Sequence, residues 1–546
     1  MKSRTSFFNI TVLRKDLTRF LWVWMAVCAV QVLGALNYLE DGRFLLMSLA
    51  SDLSTGVTGT AVFALVAVLC LFGDLFSKRL CNGLHALPVR REAWLFTHLT
   101  AAVIFWLVPQ AMRCMIYFLV LGSEWHVALL WLLGSFVQYL FFLSLAAFCA
   151  VCAGTKFATA ALFLMFNNVG NICYAVVSVF YEPQLVGLII PEDPFYLLAP
   201  TSFFDMNELI LTRFVEDDFM GAYEYAGLGD CWWYVGVIGA VALLLVVLTV
   251  LVYRRRRLEC IGELVACAPV RAITWGVLTL FGGISAYAFS MLIGGSIVAL
   301  LGGLVLGGMI GELILTRGKK RIRRGLIKGT TMAAVVGVSI LVVSLDPLGV
   351  TKWKPSVDEV ESVTVCNYYY PGVFEEDWHE SLGYQEPDEV REILRIHDLL
   401  IQEGTKVSIT AGWEEYDEIY IVYKLTDGTE KVRHYYYPLN SDIGREVESM
   451  WSSPEYLLGY ENWEDFLNQD LEVYVESYYE SFTLDENQTK EILEALKTDC
   501  EKGAVDRYAD SDIYVYLSNG KSICITPKCR TTTAWLKENL PEVYGD

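Results

Sequence analysis

Few side chains in this chain have the types and spacing that enzyme chemistry requires. The phosphate-binding pattern G-x-x-x-x-G-K-[ST] is absent, since Gly154-Thr155-Lys156 lacks the preceding loop. The sequence also has no H-E-x-x-H zinc motif and no G-x-S-x-G nucleophile elbow. The 6 histidines are dispersed, and His379-Glu380 is a lone pair in an acidic segment. We therefore expect this chain to bind no metal or cofactor itself and to carry no catalytic site.

Charged side chains nevertheless interrupt long apolar stretches. Arg113 lies deep within one stretch, Glu312 lies near the end of another, and Asp74 ends a third. Ionised groups at such positions are costly and normally face protein or water. Arg113 and Glu312 are therefore either halves of structural ion pairs or contacts for a substrate, and the sequence leaves both alternatives open.

The composition indicates that most of the chain is built for a membrane. Hydrophobic residues make up 54% of the 546 residues, and the mean hydropathy is +0.40. About 20 apolar residues are needed to cross the hydrocarbon core of a bilayer. We predict a polytopic α-helical membrane domain over residues 20–345, in which a re-entrant hairpin is an alternative for spans seven and eight. The nine predicted spans are residues 20–38, 56–73, 96–121, 127–152, 158–181, 232–252, 272–291, 294–315 and 329–345.

Charge is distributed unevenly along the chain and indicates an orientation. Up to Lys328, basic residues fall mainly in alternate connections between the spans, and such connections stay in the cytoplasm. The amino terminus is therefore expected inside the cell membrane and, after nine crossings, residues 346–546 outside it. This outer region has 43 acidic and 17 basic residues, which argues against nucleic acid as a partner.

Two basic segments are expected on the cytoplasmic side, the first suited to lying on the membrane surface and the second to transmitting force from a partner. Residues 1–19 mix apolar and basic side chains at helical spacing, which predicts an amphipathic cytoplasmic helix ahead of the first span. Residues 77–94 connect spans two and three, are short and basic, and contain Pro88, which should end their helix. The plainer alternatives are a basic flank for the first segment and an ordinary positive loop for the second.

The outer region contains two copies of one pattern. Each copy predicts a strand, a helix, a hairpin and a last helix, so we expect an α+β domain made of two β-α-β-β-α repeats. The predicted hairpins turn at Asp427-Gly428 and Asn519-Gly520, which are typical tight-turn dipeptides. Arg391-Glu392-Ile393-Leu394 in the first copy matches Lys490-Glu491-Ile492-Leu493 in the second.

Two further features lie outside the spans. Residues 182–231 form a long acidic external loop, in which we predict a short helix near Asp205–Glu216. The outer region also holds 4 of the 14 cysteines, and the sequence leaves open whether they form disulfides. These cysteines are Cys366, Cys500, Cys524 and Cys529.

Several segments together resemble the permease subunits of ABC-2 type exporters from Gram-positive bacteria. Leu84-His85-Ala86-Leu87-Pro88-Val89-Arg90-Arg91 is similar to their LHxLPhxR loop, and Phe8–Trp24 to their basic helix before span one. Glu312 and Arg317–Leu326 resemble the inner end of span eight. The resemblance covers roughly residues 1–345, and the chain adds three spans and an outer domain to the simplest six-span pattern.

The resemblance implies a transporter permease that couples to a separate ABC ATPase subunit, which binds the ATP. It also implies a second permease copy or paralogue as partner, surrounding membrane lipid, and an amphiphilic or hydrophobic substrate such as a peptide, lipid or small molecule. An alternative function is a membrane sensor or assembly scaffold whose outer domain binds a ligand. The ATPase-coupling residues implied by the resemblance are Leu80, Leu84, Leu87, Pro88, Arg90 and Arg91.

Labelling of single cysteines in a cysteine-free background tests the predicted orientation. An impermeant thiol reagent should label positions 380 and 210 on intact cells, but positions 85 and 320 only after permeabilisation, because basic connections stay inside. Labelling of position 320 on intact cells would contradict the nine-span topology.

Overall fold

The structure is a computed structural model, and it divides into two compact units. One unit comprises Met1–Val176, Glu192–Ala286 and Leu300–Ala334, and the other Val177–Pro191, Tyr287–Ala299 and Val335–Asp546. The residues that the structure describes are 8–37, 42–85, 90–207, 213–217, 222–256, 261–292, 296–316, 321–366, 381–403, 416–451, 453–458, 463–468, 471–477, 481–505, 512–518 and 521–544.

The chain up to residue 344 is mainly helical because apolar stretches in lipid must satisfy their backbone groups internally. Among the described residues, seven helices are long and apolar enough to cross a membrane, or up to nine if each bent pair is one span. The chain is therefore a multi-pass membrane protein, and every predicted span falls on one of these helices or bent pairs. The helices are α1 (Ile10–Arg19), α2 (Leu21–Leu36), α3 (Gly42–Thr55), α4 (Val57–Leu71), α5 (Lys78–His85), α6 (Arg91–Leu121), α7 (Trp125–Cys152), α8 (Lys156–Asn167), α9 (Val169–Phe180), α10 (Asp193–Tyr196), α11 (Pro200–Met206), α12 (Trp232–Arg255), α13 (Ala268–Met291), α14 (Ile297–Thr316) and α15 (Ile322–Ser344).

The two bent pairs are α1 with α2 and α8 with α9. Their axes differ by 66° and 62°. At the start of α1, the Asn9 side chain accepts hydrogen bonds from the backbone of Thr11 and Val12, which satisfies donors that a helix start leaves unpaired. The structure thus has a helix at Ile10–Arg19, within the predicted segment 1–19, and this helix meets α2 at an angle.

Helix α3 was not predicted, because its 14 residues are too short for a span. Leu45, Leu49 and Leu53 follow one another at four-residue spacing and are all buried. This spacing puts them on one side of the helix, which packs into the helical core. A helix of this kind is a buried element between two spans.

The predicted helix near Asp205–Glu216 is wrong. Asp205 lies in α11, whereas Glu216 lies in a strand, β1 (Arg213–Asp217), that pairs antiparallel with β2 (Ala222–Gly227). Phe214 and Val215 favour extended structure, and Phe214 faces Tyr225 across the ladder. Cross-strand pairing therefore outweighs the local preference on which the prediction depended.

Helices α13, α14 and α15 pack closely through glycines. A Cβ atom on Gly303 would lie 2.4 Å from the backbone oxygen of Gly282, and one on Gly308 would lie 2.7 Å from the Cα of Gly329. Such contacts leave no room for any side chain, and small residues allow this approach between membrane helices.

The outer region contains two four-stranded antiparallel sheets of the same topology, β4-β3-β5-β6 and β8-β7-β9-β10. The predicted duplication is confirmed, and each copy gains one short strand after its first, β4 and β8. The elements are β3 (Val360–Cys366), β4 (Ser381–Tyr384), α16 (Pro387–Glu403), β5 (Tyr416–Leu425), β6 (Glu430–Pro438), α17 (Asp442–Trp451), α18 (Pro454–Leu458), α19 (Trp463–Leu467), β7 (Val473–Ser477), β8 (Ser481–Thr483), α20 (Glu486–Glu501), β9 (Ile513–Leu517), β10 (Ser522–Cys524) and α21 (Arg530–Asn539).

Local signals in this region act as the sequence indicated. Gly428 adopts a φ of 80° at the turn between β5 and β6, a conformation that glycine tolerates without strain. Asp485 and Gln488 form a capping box at the start of α20. The predicted turn at Asn519-Gly520 lies outside the described residues. The four cysteines of the region are all free thiols.

A loop that follows α9 belongs to the same unit as the first sheet. The backbone N–H of His434 in β6 donates to the oxygen of Gly187, at 3.4 Å, and Nη1 of Arg433 donates to that same oxygen at 3.5 Å. Gly187 has a φ of 79°, and a Cβ atom there would lie 2.4 Å from the Tyr435 hydroxyl. In this unit the Tyr181 hydroxyl also contacts Ser339 Oγ at 2.9 Å, which links the ends of α9 and α15.

A fully buried histidine lies beneath this sheet. His397 in α16 contacts the Tyr423 hydroxyl through Nδ1, at 2.8 Å, and the Tyr435 hydroxyl through Nε2, at 2.9 Å. Burial, with a smaller contribution from the positive charge of Arg433, lowers the pKa of His397 from 6.5 to about 4. The ring is therefore neutral in the folded protein at neutral pH.

This histidine should make the outer region sensitive to acid. Between pH 6.5 and pH 4 the unfolded chain binds a proton that the folded chain does not, so the contribution of His397 is complete above pH 6.5 and lost as pH falls to 4. We expect a decrease of about 3 kcal/mol in the free energy of unfolding from this group. Denaturant unfolding of the full chain against pH measures it.

The variant His397→Gln should lower stability at pH 7 and remove that part of the pH dependence. Tyr435→Phe is the matched control, because it removes a hydrogen bond but keeps the histidine, so the pH dependence should persist. The same slope in His397→Gln and in the original sequence would contradict the assignment.

Candidate functional site

The predicted coupling residues lie around α5, which connects α4 to α6. Leu80 is 50% exposed, whereas the adjacent Cys81 is buried. Leu84 lies in α5, but its side chain, together with Leu87 and Pro88, falls outside the described residues. In the described part of α5, Leu80 is therefore an exposed apolar side chain, whereas Cys81 packs against the rest of the protein.

Arg90 and Arg91 mark the start of α6 at the same end of the helices. Arg90 is exposed and precedes the first helical residue. Arg91 donates from Nη1 to the backbone oxygen of Arg256 at 3.1 Å, and Glu92 accepts from Arg254 Nε at 2.6 Å. The first turn of α6 is thereby tied to the end of α12.

Arg256 joins the ends of several elements. Its guanidinium donates to the backbone oxygens of Ala150 at 3.0 Å and Ala153 at 2.9 Å, where α7 ends. It also donates to Leu75 at 3.5 Å, in the 3₁₀ turn that leads into α5. The last carbonyls of a helix lack intrahelical donors, so this one side chain satisfies groups that would otherwise be unpaired. Helix α5 thus starts from a fixed anchor.

A buried polar pair fixes α1 against α6. Asp16 Oδ2 and His98 Nδ1 are 2.7 Å apart, and the two residues are only 5% and 6% exposed. The backbone N–H of Asn9 also donates to Thr97 Oγ1, at 3.1 Å. The amphipathic helix is therefore attached to the third span by specific polar contacts, in addition to its apolar side.

Glu312 is one half of an ion pair between α14 and α15. It is 4% exposed, and its Oε2 lies 2.8 Å from Lys328 Nζ. The ammonium of Lys328 lies 5.2 Å from the ring centroid of Trp275, close enough for a cation–π contact. Of the two alternatives for Glu312, the described contacts match the structural ion pair.

Arg113 has a different environment. Its guanidinium carbon lies 5.1 Å from the ring centroid of Tyr117 and 5.0 Å from that of Trp131, and its Nε donates to the Tyr117 hydroxyl. Asp52 of α3 supplies the opposite charge, with 3.6 Å between its Oδ1 and Arg113 Nη2. Asp52 Oδ2 accepts from Trp131 Nε1 at 2.5 Å.

A cavity of about 290 Å³ opens beside this ion pair. At roughly 30 Å³ for each water molecule, it has room for about ten. Residues of α2, α3, α4, α6 and α7 line it, and α13, α14 and α15 contribute none of its described lining residues. Three glutamine amides, Gln31, Gln110 and Gln138, share the lining with aromatic rings. A polar cavity among spanning helices is a candidate site for a ligand.

An apolar groove adjoins the cavity. It lies between α2 and α4 and shares Val27, Phe63 and Phe105 with the cavity lining. Its other lining residues are apolar apart from Trp24, whose Nε1 is buried and has no partner among the described residues. Cavity and groove together offer one polar and one apolar compartment.

The sequence identified Arg113 but missed the residues that make its surroundings. Asp52 lies in the unpredicted helix α3, so its carboxylate was not connected to Arg113. Pro109 and Gln110 were the available signal, because proline and a polar amide are both unusual in the middle of a span. Asp16 lies in the segment for which an amphipathic helix was predicted, and nothing in that pattern indicated that it is buried against His98.

No protein family, curated protein or solved structure matches this chain. Within the described residues, no group of three or more His, Cys, Asp or Glu side chains could hold a metal ion. What the structure shows of the chain's class is a multi-pass helical membrane protein with a duplicated α+β region.

The ion pair beside the cavity can be tested by a double-mutant cycle. Asp52→Asn or Arg113→Gln should each lower the free energy of unfolding by roughly 3 kcal/mol, because each leaves a charge without its partner. The double variant should lose less than the sum, since no unpaired charge remains. Thermal unfolding of the purified full chain provides the measurement, and strictly additive losses would contradict the pairing.

Proposed function

We propose that this chain is the membrane-spanning permease subunit of an ATP-binding cassette transporter. A separate ATPase subunit binds and hydrolyses ATP, and the permease moves an amphiphilic or hydrophobic substrate across the cell membrane. The observation that carries this proposal is the anchored helix α5, with the exposed Leu80 next to the buried Cys81. An anchored helix with an exposed apolar side chain is suited to a groove on another protein.

Helix α6 runs from the end of the coupling segment to the cavity. Helix α6 begins at Arg91, directly after the coupling segment, and has 31 residues, so it is about 46 Å long at 1.5 Å per residue. His98 near its start holds α1, and Arg113 further along lines the cavity. A displacement of α5 by a partner would therefore move α6 and, with it, one wall of the cavity.

The orientation agrees with a cytoplasmic ATPase. The exposed basic residues near α5 lie in a connection that charge asymmetry assigns to the cytoplasm, where ATP is available. The chain lacks a phosphate-binding loop of its own, so the energy source has to come from a partner. A second permease copy or paralogue completes the assembly in this proposal.

A membrane sensor is the second candidate function. It is favoured by the hydrogen bonds of Arg433 and His434 to Gly187, which make the loop after α9 part of the unit that contains the outer region. A ligand that rearranges β6 would act on that loop directly. A sensor of this kind requires no ATPase, so the coupling experiment separates the two candidates.

Replacing Leu84 and Leu87 with Asp should uncouple ATP hydrolysis from transport. Charged side chains at these positions would have to be desolvated in the groove of the ATPase, which is costly. We expect at least a tenfold loss of substrate-stimulated ATP hydrolysis in the reconstituted complex, with the variant still inserted in the membrane.

Ile322→Asp is the matched control, because Ile322 is a 40% exposed apolar residue at the start of α15. It should leave both assembly and hydrolysis near their original levels. Normal complex formation and normal coupling in the Leu84→Asp, Leu87→Asp variant would rule out this segment as the ATPase contact.

A further inference from the structure

Three residues that line the cavity beside Arg113 have hydrogen-bond acceptors without donors among the described residues. Gln110 Oε1 is buried and has no partner among the described residues. Pro109 has no N–H, so the carbonyl of Phe105, four residues earlier, lacks its helical donor. Asp52 Oδ1 lies 3.6 Å from Arg113, beyond hydrogen-bond distance, and accepts no hydrogen bond from the described residues. These groups are suited to a ligand that donates N–H bonds.

The same cavity also contains unused donors. Nε of Arg113 donates to Tyr117, but its two terminal nitrogens make no hydrogen bond within the described residues. A guanidinium whose terminal nitrogens make no hydrogen bond can donate them to a phosphate or carboxylate, while Asp52 lies beside it as counter-charge. The cavity thus presents a cationic donor and an anionic acceptor a few ångströms apart.

The net charge of the residues that line the cavity determines which kind of polar ligand group it can bind. Arg113 and Asp52 together contribute no net charge, and the aromatic rings around them provide no counter-charge. A ligand with a net charge would add an uncompensated charge to an environment of low dielectric constant, which is unfavourable. A zwitterion adds none and can satisfy both residues. Trp106 and Phe105 also line the cavity, and aromatic rings interact favourably with an ammonium.

The apolar groove beside the cavity can bind the apolar part of such a molecule. The cavity, at about 290 Å³, is too small for a whole lipid but has room for a head group. The adjoining groove between α2 and α4 is lined by side chains such as Val23 and Val66, which are 66% and 50% exposed. Helix surfaces that are apolar and exposed face lipid in a membrane, so an acyl chain can lie along the groove from the bilayer.

We propose that the cavity and groove bind a zwitterionic amphiphile, with a primary ammonium on Asp52 and Gln110, a phosphate on Arg113, and one acyl chain between α2 and α4. This inference rests on the proposed permease function, since it identifies the substrate class of that permease. The binding itself requires no ATPase, so it can be tested without one.

The test uses the purified full chain in phosphatidylcholine nanodiscs. The probe is lysophosphatidylethanolamine with a photoreactive diazirine in its acyl chain, and mass spectrometry locates the crosslinks. We expect crosslinks in Leu21–Leu36 and Val57–Leu71. Unlabelled lysophosphatidylethanolamine should compete about tenfold better than lysophosphatidylcholine, which lacks N–H donors, and than lysophosphatidylglycerol, which lacks the cation.

Variants connect the labelling to the cavity. Gln110→Met removes the unpaired acceptor at nearly constant volume and should weaken competition by about tenfold. Asp52→Asn should weaken it further, and Gln110→Met keeps the test valid if Asp52→Asn does not fold. The matched control is Glu312→Gln, a change in another intramembrane carboxylate outside the cavity, which should leave labelling unchanged.

Three results would overturn the inference. They are equal competition by the ethanolamine and choline lipids, equal competition by the glycerol lipid, and labelling that Gln110→Met does not alter. If labelling fails while the Leu84→Asp, Leu87→Asp variant uncouples hydrolysis, the substrate class is wrong and the permease function stands. Specific labelling without any ATPase coupling would instead reject the permease.

Discussion

The low dielectric constant of the bilayer is the constraint on which most of the helical part depends. A polar or charged group that enters it requires a partner inside the protein. The described polar contacts satisfy this requirement, including the ion pair of Glu312 with Lys328 and the buried pair of Asp16 with His98. The backbone carbonyls that accept hydrogen bonds from Arg256 satisfy it as well. Each of these contacts joins separate helices, so the same requirement that neutralises charge also fixes how the helices pack.

The cavity beside Arg113 is where that requirement is incompletely met. Asp52 balances the charge of Arg113, yet Gln110 Oε1 has no partner among the described residues. Elsewhere in the described helices, glycines such as Gly303 and Gly308 close the space between neighbours completely. The packing of α13–α15 is therefore dense at these glycines, whereas the packing around α6 leaves an open, polar cavity.

Elements with a strong local signal were predictable from the sequence, and contacts between distant segments were not. The spans followed from length and hydropathy, and the repeat followed from its turns and matching helices. Helix α3 was missed because it is too short for a span, and its Asp52 became meaningful only when folding placed it beside Arg113, 61 positions later. The strand at Glu216 was missed because its stability comes from pairing with β2. Burial of Asp16 depends on His98, which no periodicity in α1 reveals.

The segment around Gly187 limits how the outer region could be transferred to another protein. Since Arg433 and His434 bond to Gly187, and Tyr435 leaves no room for a side chain there, the outer region is completed by a piece of chain that precedes it by more than 150 residues. A graft of residues 346–546 alone onto another membrane protein would lack that piece. Insertions close to Gly187 are likewise constrained, because a shift of this residue would break its hydrogen bonds to Arg433 and His434.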